Sequence, residues 1–199
     1  MIRYFGPKFK LLKNLGISFL PGFSNKFKLD KNFLKFKTKK TNYFYSLKEK
    51  QKLKFNYGIC NYKLKKYIKS LKNKKGILIL NLLKLLEMRL DATLVRTGFC
   101  NSINQAKQFI SHEFIFVNKN LIKNSNYILQ PEDIIYIKPN NSIKIIINNN
   151  LRKNFFNYKN IINLNYQICI KTLKIKIINK IDSKNLPLKL NTFLLNKIY

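Results

Sequence analysis

The chain has 199 residues, of which 40 are Lys or Arg and eight are Asp or Glu, a formal net charge of +32. With 46% hydrophobic residues it can bury a core, which excludes a disordered tail, and its length suits one large or two small domains. Charge of this sign and size calls for a strongly anionic partner: nucleic acid, an anionic membrane or an acidic protein.

The charge is uneven. Residues 1–75 carry 22 basic side chains against Asp30 and Glu49, residues 76–138 carry seven against five acids, and residues 139–199 carry eleven against one. The middle can pack as an ordinary domain, whereas the flanks repel themselves until a polyanion neutralises them. Lys outnumbers Arg 36 to 4, and Asn, Ile, Phe and Tyr abound, the signature of an AT-biased genome. Part of the Lys excess is therefore mutational drift, although the bias does not explain why acids are scarce. Cys60, Cys100 and Cys169 lie far apart and away from the single His, so neither a zinc site nor a disulfide framework is expected and a reducing compartment fits. The longest apolar run, "GILILNLLKLLEM", is too short for a membrane span and is broken by Asn81 and Lys84.

Taken in chain order, residues 1–45 mix Lys with aromatics around Gly6-Pro7 and Pro21-Gly22 and sustain no period, which predicts an extended or loosely folded basic arm. Its Phe5, Phe9, Phe19 and Phe23 either stack on bases or pin the arm to a core. Over 46–58, Ser46 and Glu49 have capping-box spacing and Gly58 suits the position just past a helix. A second helix follows, capped by Asn61, with Leu64, Tyr67, Ile68 and Leu71 on one face and Lys63, Lys65, Lys66, Lys69 and Lys72 on the other. Two consecutive Lys-faced helices with almost no acid to pair with favour phosphate contact over a merely solvated surface. A core helix runs from about Ile77 to Met88.

The stretch "RLDATLVRTGFCNSINQAKQFISHEFIFVN", residues 89–118, reads as two short helices and a strand. Asp91 caps the first helix or pairs with Arg89, Ser102 and Gln105 form a second capping box, and 114–117 is a strand before a turn at 118–120. "QPEDIIYIK" adds a turn and a strand. Beyond Pro139, strands are predicted over Ile143–Ile147 and Ile168–Ile178, with the Asn run 148–150 as a loop and the final "PLKLNTFLLNKIY" as either helix or strand.

Catalysis needs titratable groups gathered in a pocket. Glu49, Asp91, Asp133 and His112 each have a structural reading, as caps, ion-pair partners or turn residues. No phosphate-cradling, nucleophile-elbow or zinc-protease motif is present. The reading is a non-enzymatic binder of structured RNA or DNA, without cofactor, metal or small-molecule substrate. RNA helices are held through shape, phosphates and 2′-hydroxyls, which suits Arg89, Arg96, Gln105, Lys107, Gln108 and Asn118.

The 89–118 stretch followed by "SNYILQPEDIIYIK", together with "RYFGPKFKLLKNLG", "KEKQKLKFNYG" and "LLKLLEMRLD", resembles the small-subunit ribosomal protein S4 family. The ending "IDSKNLPLKLNTFLLNKIY" resembles its plastid branch. The resemblance implies an α+β protein: a basic N-terminal arm (1–45), a helical domain (46–87), an inserted α-L type RNA-binding domain with helices on a small, partly antiparallel sheet (88–150), and a C-terminal tail (151–199) returning to the helical domain. It implies direct binding to small-subunit rRNA at a multi-helix junction early in assembly, neighbouring small-subunit proteins as partners, and a position near where mRNA enters that affects translational accuracy. By position it carries over Arg3, Tyr4, Gly6, Pro7, Lys8, Lys50, Gln51, Lys52, Arg89, Asp91, Arg96, Lys107, Gln108, His112 and Asn118. The expected RNA contacts are therefore Arg3, Tyr4, Lys8, Lys10, Lys13, Lys50, Lys52, Lys54, Lys65, Lys66, Lys69, Arg89, Arg96, Ser102, Gln105, Lys107, Gln108, His112, Asn118 and Lys119.

Three departures matter. Ile103 stands where many relatives are basic, Lys119 replaces the Gly of an Asn-Gly turn, and no Cys precedes Cys60, which resembles the zinc-free type. "RYFGPK" lying almost at Met1 leaves no room for a cleaved leader, so an organelle-encoded protein is expected, in a plastid (a relict parasite plastid included) before a mitochondrion. Two other readings are an RNA-modifying enzyme or chaperone tethered by this domain, disfavoured by the scarcity of carboxylates in the flanks, and a polycation on anionic lipid.

Overall fold

The computed structural model describes residues 6–17, 20–23, 41–138, 140–179 and 190–196, with the side chains of 153–164 and 196 left aside. Of the expected contacts, Arg3 and Tyr4 lie outside the described residues. The chain is a mixed α+β protein, with eight helices and one five-stranded antiparallel sheet among those residues. It divides into two compact units, one formed by Met1–Leu82 with Leu188–Tyr199 and the other by Leu83–Pro187.

In the first unit, helix α1 (Lys8–Leu15) starts after Pro7, whose fixed φ suits a helix start, and stops at Gly16, left-handed at φ 66°. It buries Leu11, Leu12 and Leu15 against Leu20. The arm expected to be extended thus holds a helix with its own small core, because three Leu at i, i+1 and i+4 share one face. Helix α2 (Asn42–Tyr57) is capped by Thr41, whose hydroxyl accepts from the Phe44 N–H at 3.4 Å. It begins upstream of the predicted Ser46/Glu49 capping box, leaving both residues buried inside the helix. Gly58 closes it at φ 57°. Helix α3 (Asn61–Leu71) has Cys60 rather than Asn61 at its cap position and buries Leu64, Ile68 and Leu71. Helix α4 (Leu78–Glu87) begins in this unit and continues from Leu83 into the second, and α8 (Thr192–Asn196) packs on α2.

The second unit holds α5 (Leu90–Arg96), α6 (Ile103–Ser111), β1 (Ile115–Val117), β2 (Asn120–Leu121), β3 (Ile134–Ile137), α7 (Asn141–Asn165), β4 (Tyr166–Cys169) and β5 (Lys174–Ile177). Sheet order is β2-β1-β3-β5-β4. Alternation along the strands sends Ile115, Val117, Ile135, Ile137, Ile175 and Ile177 into a core shared with Leu94, Phe99 and Ile110.

Ile143–Ile147 is helical, the start of the 25-residue α7. Ile143 and Ile147, four apart, are buried, while Ile145 is 62% exposed; helical burial overrides the strand preference of an Ile-rich run. The Asn run continues this helix. Asn150 is buried, donating to the Phe99 carbonyl at 2.9 Å and accepting from the Asn101 amide at 2.6 Å. The second predicted strand is a hairpin, β4–β5, with Leu173 left-handed at φ 51° in its turn. β5 pairs with β3, so residues 166–177 extend the second unit's sheet instead of returning to the helical domain.

Candidate nucleic-acid interface

The second unit keeps two of its arginines inside, whereas Arg152 is exposed. Arg89 and Arg96 are each 1% exposed. Arg96 Nε and Nη2 each lie 2.9 Å from a separate oxygen of Glu87, itself fully buried. Arg89 Nη2 donates to Asp91 Oδ2, and Lys107 Nζ is 3.8 Å from the same oxygen. Burial raises the Asp91 carboxyl above the usual carboxylate range, against the pull of Arg89 and Lys107. The expected phosphate contacts at Arg89 and Arg96 are corrected accordingly: both guanidinium groups are committed to carboxylates in the interior. Arg rather than Lys survives here because only a planar, permanently charged fork meets both oxygens of a buried carboxylate.

Ser102 and Gln105 are also structural. The Ser102 hydroxyl accepts from the Gln105 N–H at 3.2 Å, and Gln105 Oε1 accepts from the Asn101 N–H at 2.7 Å. Ser102 thus supplies its half of a capping box at the start of α6, while Gln105 reaches one residue further back, to Asn101. Asn118 holds the β1–β2 turn: its amide donates to Asp133 at 2.7 Å and its oxygen accepts from the Ile134 N–H at 2.9 Å. The turn keeps its form with Asn118 at φ 48° and Lys119 at φ 70°. Gln108, His112 and Lys119 are exposed, and His112 lies stacked at 6.1 Å from Phe114.

In the first unit, α1 turns Lys8, Lys10 and Lys13 outward. Lys8 Nζ donates to the Gly22 carbonyl at 3.0 Å and lies 5.8 Å from the Phe23 ring centre. Phe23 meets Phe55 edge-on at 6.4 Å and so pins the arm to a core, while Phe9 is exposed and Phe5 and Phe19 lie outside the described residues. On α3, Lys65, Lys66 and Lys69 are exposed opposite the buried Leu64–Ile68–Leu71 stripe. Lys50 of α2 is held below the ordinary lysine value by partial burial first, and then by the charges of Lys54 on the same helix and Lys65 on α3. Like charges gathered this way destabilise the isolated fold and are relieved by an anion. Lys52 is not part of that group, because its ammonium is 2.6 Å from Glu49.

A basic surface absent from the expected set lies on the outer face of the sheet. Lys138, Lys174 and Lys176 are exposed there, beside Phe116 and Tyr136. The alternation "KIKI" over 174–177 carried this signal, but only the β3–β5 pairing places those lysines beside the aromatics. Among the described residues no group of His, Cys, Asp and Glu could hold a metal ion, and no helix is long and apolar enough to cross a membrane.

In the second unit, α5 and α6 packed with a small antiparallel sheet define an RNA-binding domain of the α-L type. Residues 3–87 match the ribosomal protein S4/S9 N-terminal domain and residues 88–135 match the S4 domain. The chain is 44% identical over 180 residues to the small ribosomal subunit protein uS4c of Toxoplasma gondii, covering 89% of this chain and 87% of that one. It is 36% identical to uS4c of Lotus japonicus, covering 100% and 98%, and 39% identical to uS4c of Phaeodactylum tricornutum, covering 77% and 78%. The chain belongs to the ribosomal protein S4 family.

Proposed function

We propose that this chain is a structural component of the small subunit of a plastid ribosome and holds small-subunit rRNA directly, without catalysing a reaction. The observation that carries the reading is the exposed lysine face of α3 around Lys65, whose charge, with that of Lys54, adds to the effect of partial burial in lowering Lys50; an RNA phosphate would offset that repulsion. Exposed Lys10, Lys66 and Lys69 add charge to the same unit. Family membership and the uS4c relatives support the ribosomal role and the plastid setting. The finer reading places the contact at a multi-helix junction engaged early in assembly, with small-subunit proteins as neighbours and the mRNA entrance nearby. Its exposed members are Lys8, Lys10, Lys13, Lys65, Lys66, Lys69, Gln108, His112 and Lys119.

The test is co-fractionation with plastid small subunits through a salt wash, combined with titration of the purified chain against a small-subunit rRNA junction. The logarithm of the association constant should fall with log salt by roughly 0.7–0.9 per neutralised phosphate. Binding indifferent to salt, or absence from the small subunit, would sink the reading.

A further inference from the structure

The outer face of the sheet carries a row of side chains fixed by register. Phe116 of β1 stands opposite Tyr136 of β3, and Tyr136 stands opposite Lys174 of β5. The two rings are 6.3 Å apart and tilted by 51°, and Lys174 Nζ lies 6.0 Å from the Tyr136 ring centre. In the next row Ile134 is opposite Lys176. Phe116, Ile134, Tyr136 and Lys174, with Lys119 and Lys138, border a groove of about 860 Å³ whose lining is mostly apolar, and Lys176 stands next to Ile134 on the same face. Among the described residues that line it, none is a carboxylate.

From this juxtaposition we infer that the sheet face is a second RNA-binding surface, one that takes unpaired nucleotides. The inference rests on the reading of the chain as an RNA binder, but it assigns a different surface and a different form of RNA. The exposed lysines of α3 offer cations along one helix face, which suits the phosphates of a folded helix. The sheet joins its cations to a groove floored by two neighbouring rings. A paired base hides its flat face in the helical stack; an unpaired base can lay it on Phe116 or Tyr136. Lys119, Lys138, Lys174 and Lys176 border those rings and can follow the phosphates of the same strand. An acidic peptide would satisfy the ammonium groups but would leave the aromatic floor without flat partners.

The experiment compares two probes on the full chain at moderate salt: an unpaired ribonucleotide oligomer of about eight nucleotides and an abasic strand of equal length. Polycation attraction alone treats them alike. The wild-type chain should prefer the base-bearing strand by about tenfold or more. Tyr136→Leu, which keeps apolar bulk without a stacking ring, should remove most of that preference. The double variant Lys174→Gln/Lys176→Gln should weaken both probes and lower the salt slope by roughly 0.7 per lost contact. Equal affinity of the wild-type chain for both probes, or a preference untouched by Tyr136→Leu, would overturn the assignment. So would tighter binding of a polyglutamate chain of equal charge that Tyr136→Leu abolishes, since that assigns the face to a protein. Each variant is also titrated against the rRNA junction. Retained junction binding certifies the fold, and a wild-type chain that ignores the junction while preferring bases would defeat the proposed function and not this surface.

Discussion

Arg96 reaches back nine residues to clamp Glu87 with two parallel hydrogen bonds of 2.9 Å, and neither side chain is more than 2% exposed. In a chain with 36 Lys and four Arg, two of the four Arg occupy buried ion pairs. A buried charge that loses its partner is costly. Arg96→Ala should therefore destabilise the second unit by about 3–5 kcal/mol, and Arg96→Lys, which reaches one oxygen at a time, by about 1–3 kcal/mol. Urea unfolding gives both values. A normal midpoint with a shallower salt dependence of rRNA binding would return Arg96 to the set of RNA contacts.

The repulsion that Lys54 and Lys65 exert on Lys50 sets stability and binding against each other. Lys65→Gln should raise the unfolding midpoint of the free protein, because repulsion is relieved. The same change should weaken rRNA binding and reduce the salt slope by roughly 0.7–0.9. A lowered midpoint together with unchanged binding would mark Lys65 as structural.

The depressed Lys50 value gives this repulsion a pH signature. Between the depressed value and the ordinary lysine value, the unfolded chain binds more protons than the folded one. Stability contributed at this site should therefore rise with pH across that alkaline window, and Lys50→Gln should flatten the rise. Phosphate contact restores the charged form, so rRNA binding should take up a proton in the same window. Calorimetry in two buffers of different ionisation enthalpy measures that uptake.

Helix α7 can be distinguished from the strand its sequence suggests by two neighbouring substitutions. On a strand, Ile145 and Ile147 would share a face; on α7 Ile147 is buried and Ile145 is not. Ile145→Lys should shift stability by no more than about 0.5 kcal/mol. Ile147→Lys should cost about 4 kcal/mol or unfold the unit. Similar losses for the two, read by circular dichroism melts, would restore the strand.

Lys119 sits at φ 70° in the β1–β2 turn, a conformation that costs a residue with a Cβ. Lys119→Gly should stabilise the chain by about 0.5–1 kcal/mol after the entropy of the more flexible unfolded chain is counted. It should also remove one cation from the sheet groove. A chain made less stable would show that Lys119 earns its place through contacts in the folded turn.

Local signals were legible wherever both partners lie within one turn of chain. Ser102 caps α6 as its spacing to Gln105 predicts, although Gln105 turns to the Asn101 N–H, and the exposed Lys face of α3 follows from helical period. The same spacing misled at Ser46 and Glu49, because a capping box says nothing about whether the helix has already begun, and Thr41 had begun it. Arg89 and Arg96 were misplaced for another reason: a charge in a sequence does not show its burial, although Glu87 and Asp91 close by were the available hint. The Ile run at 143–147 satisfies two periods equally, and only the core that receives Ile143 and Ile147 decides between them. The sheet face needed the pairing of β3 with β5, which joins residues some forty positions apart.

Asn191 caps α8 while its own N–H donates to the buried Glu49 of α2 at 3.2 Å. The two sides of that bond are separated in the sequence by the whole second unit. During synthesis α2 must therefore wait, with Glu49 held only by Lys52, until every strand of the sheet has been translated. Vectorial maturation follows: the sheet-bearing unit can reach its native state on a nascent chain, and the helical unit is completed only afterwards.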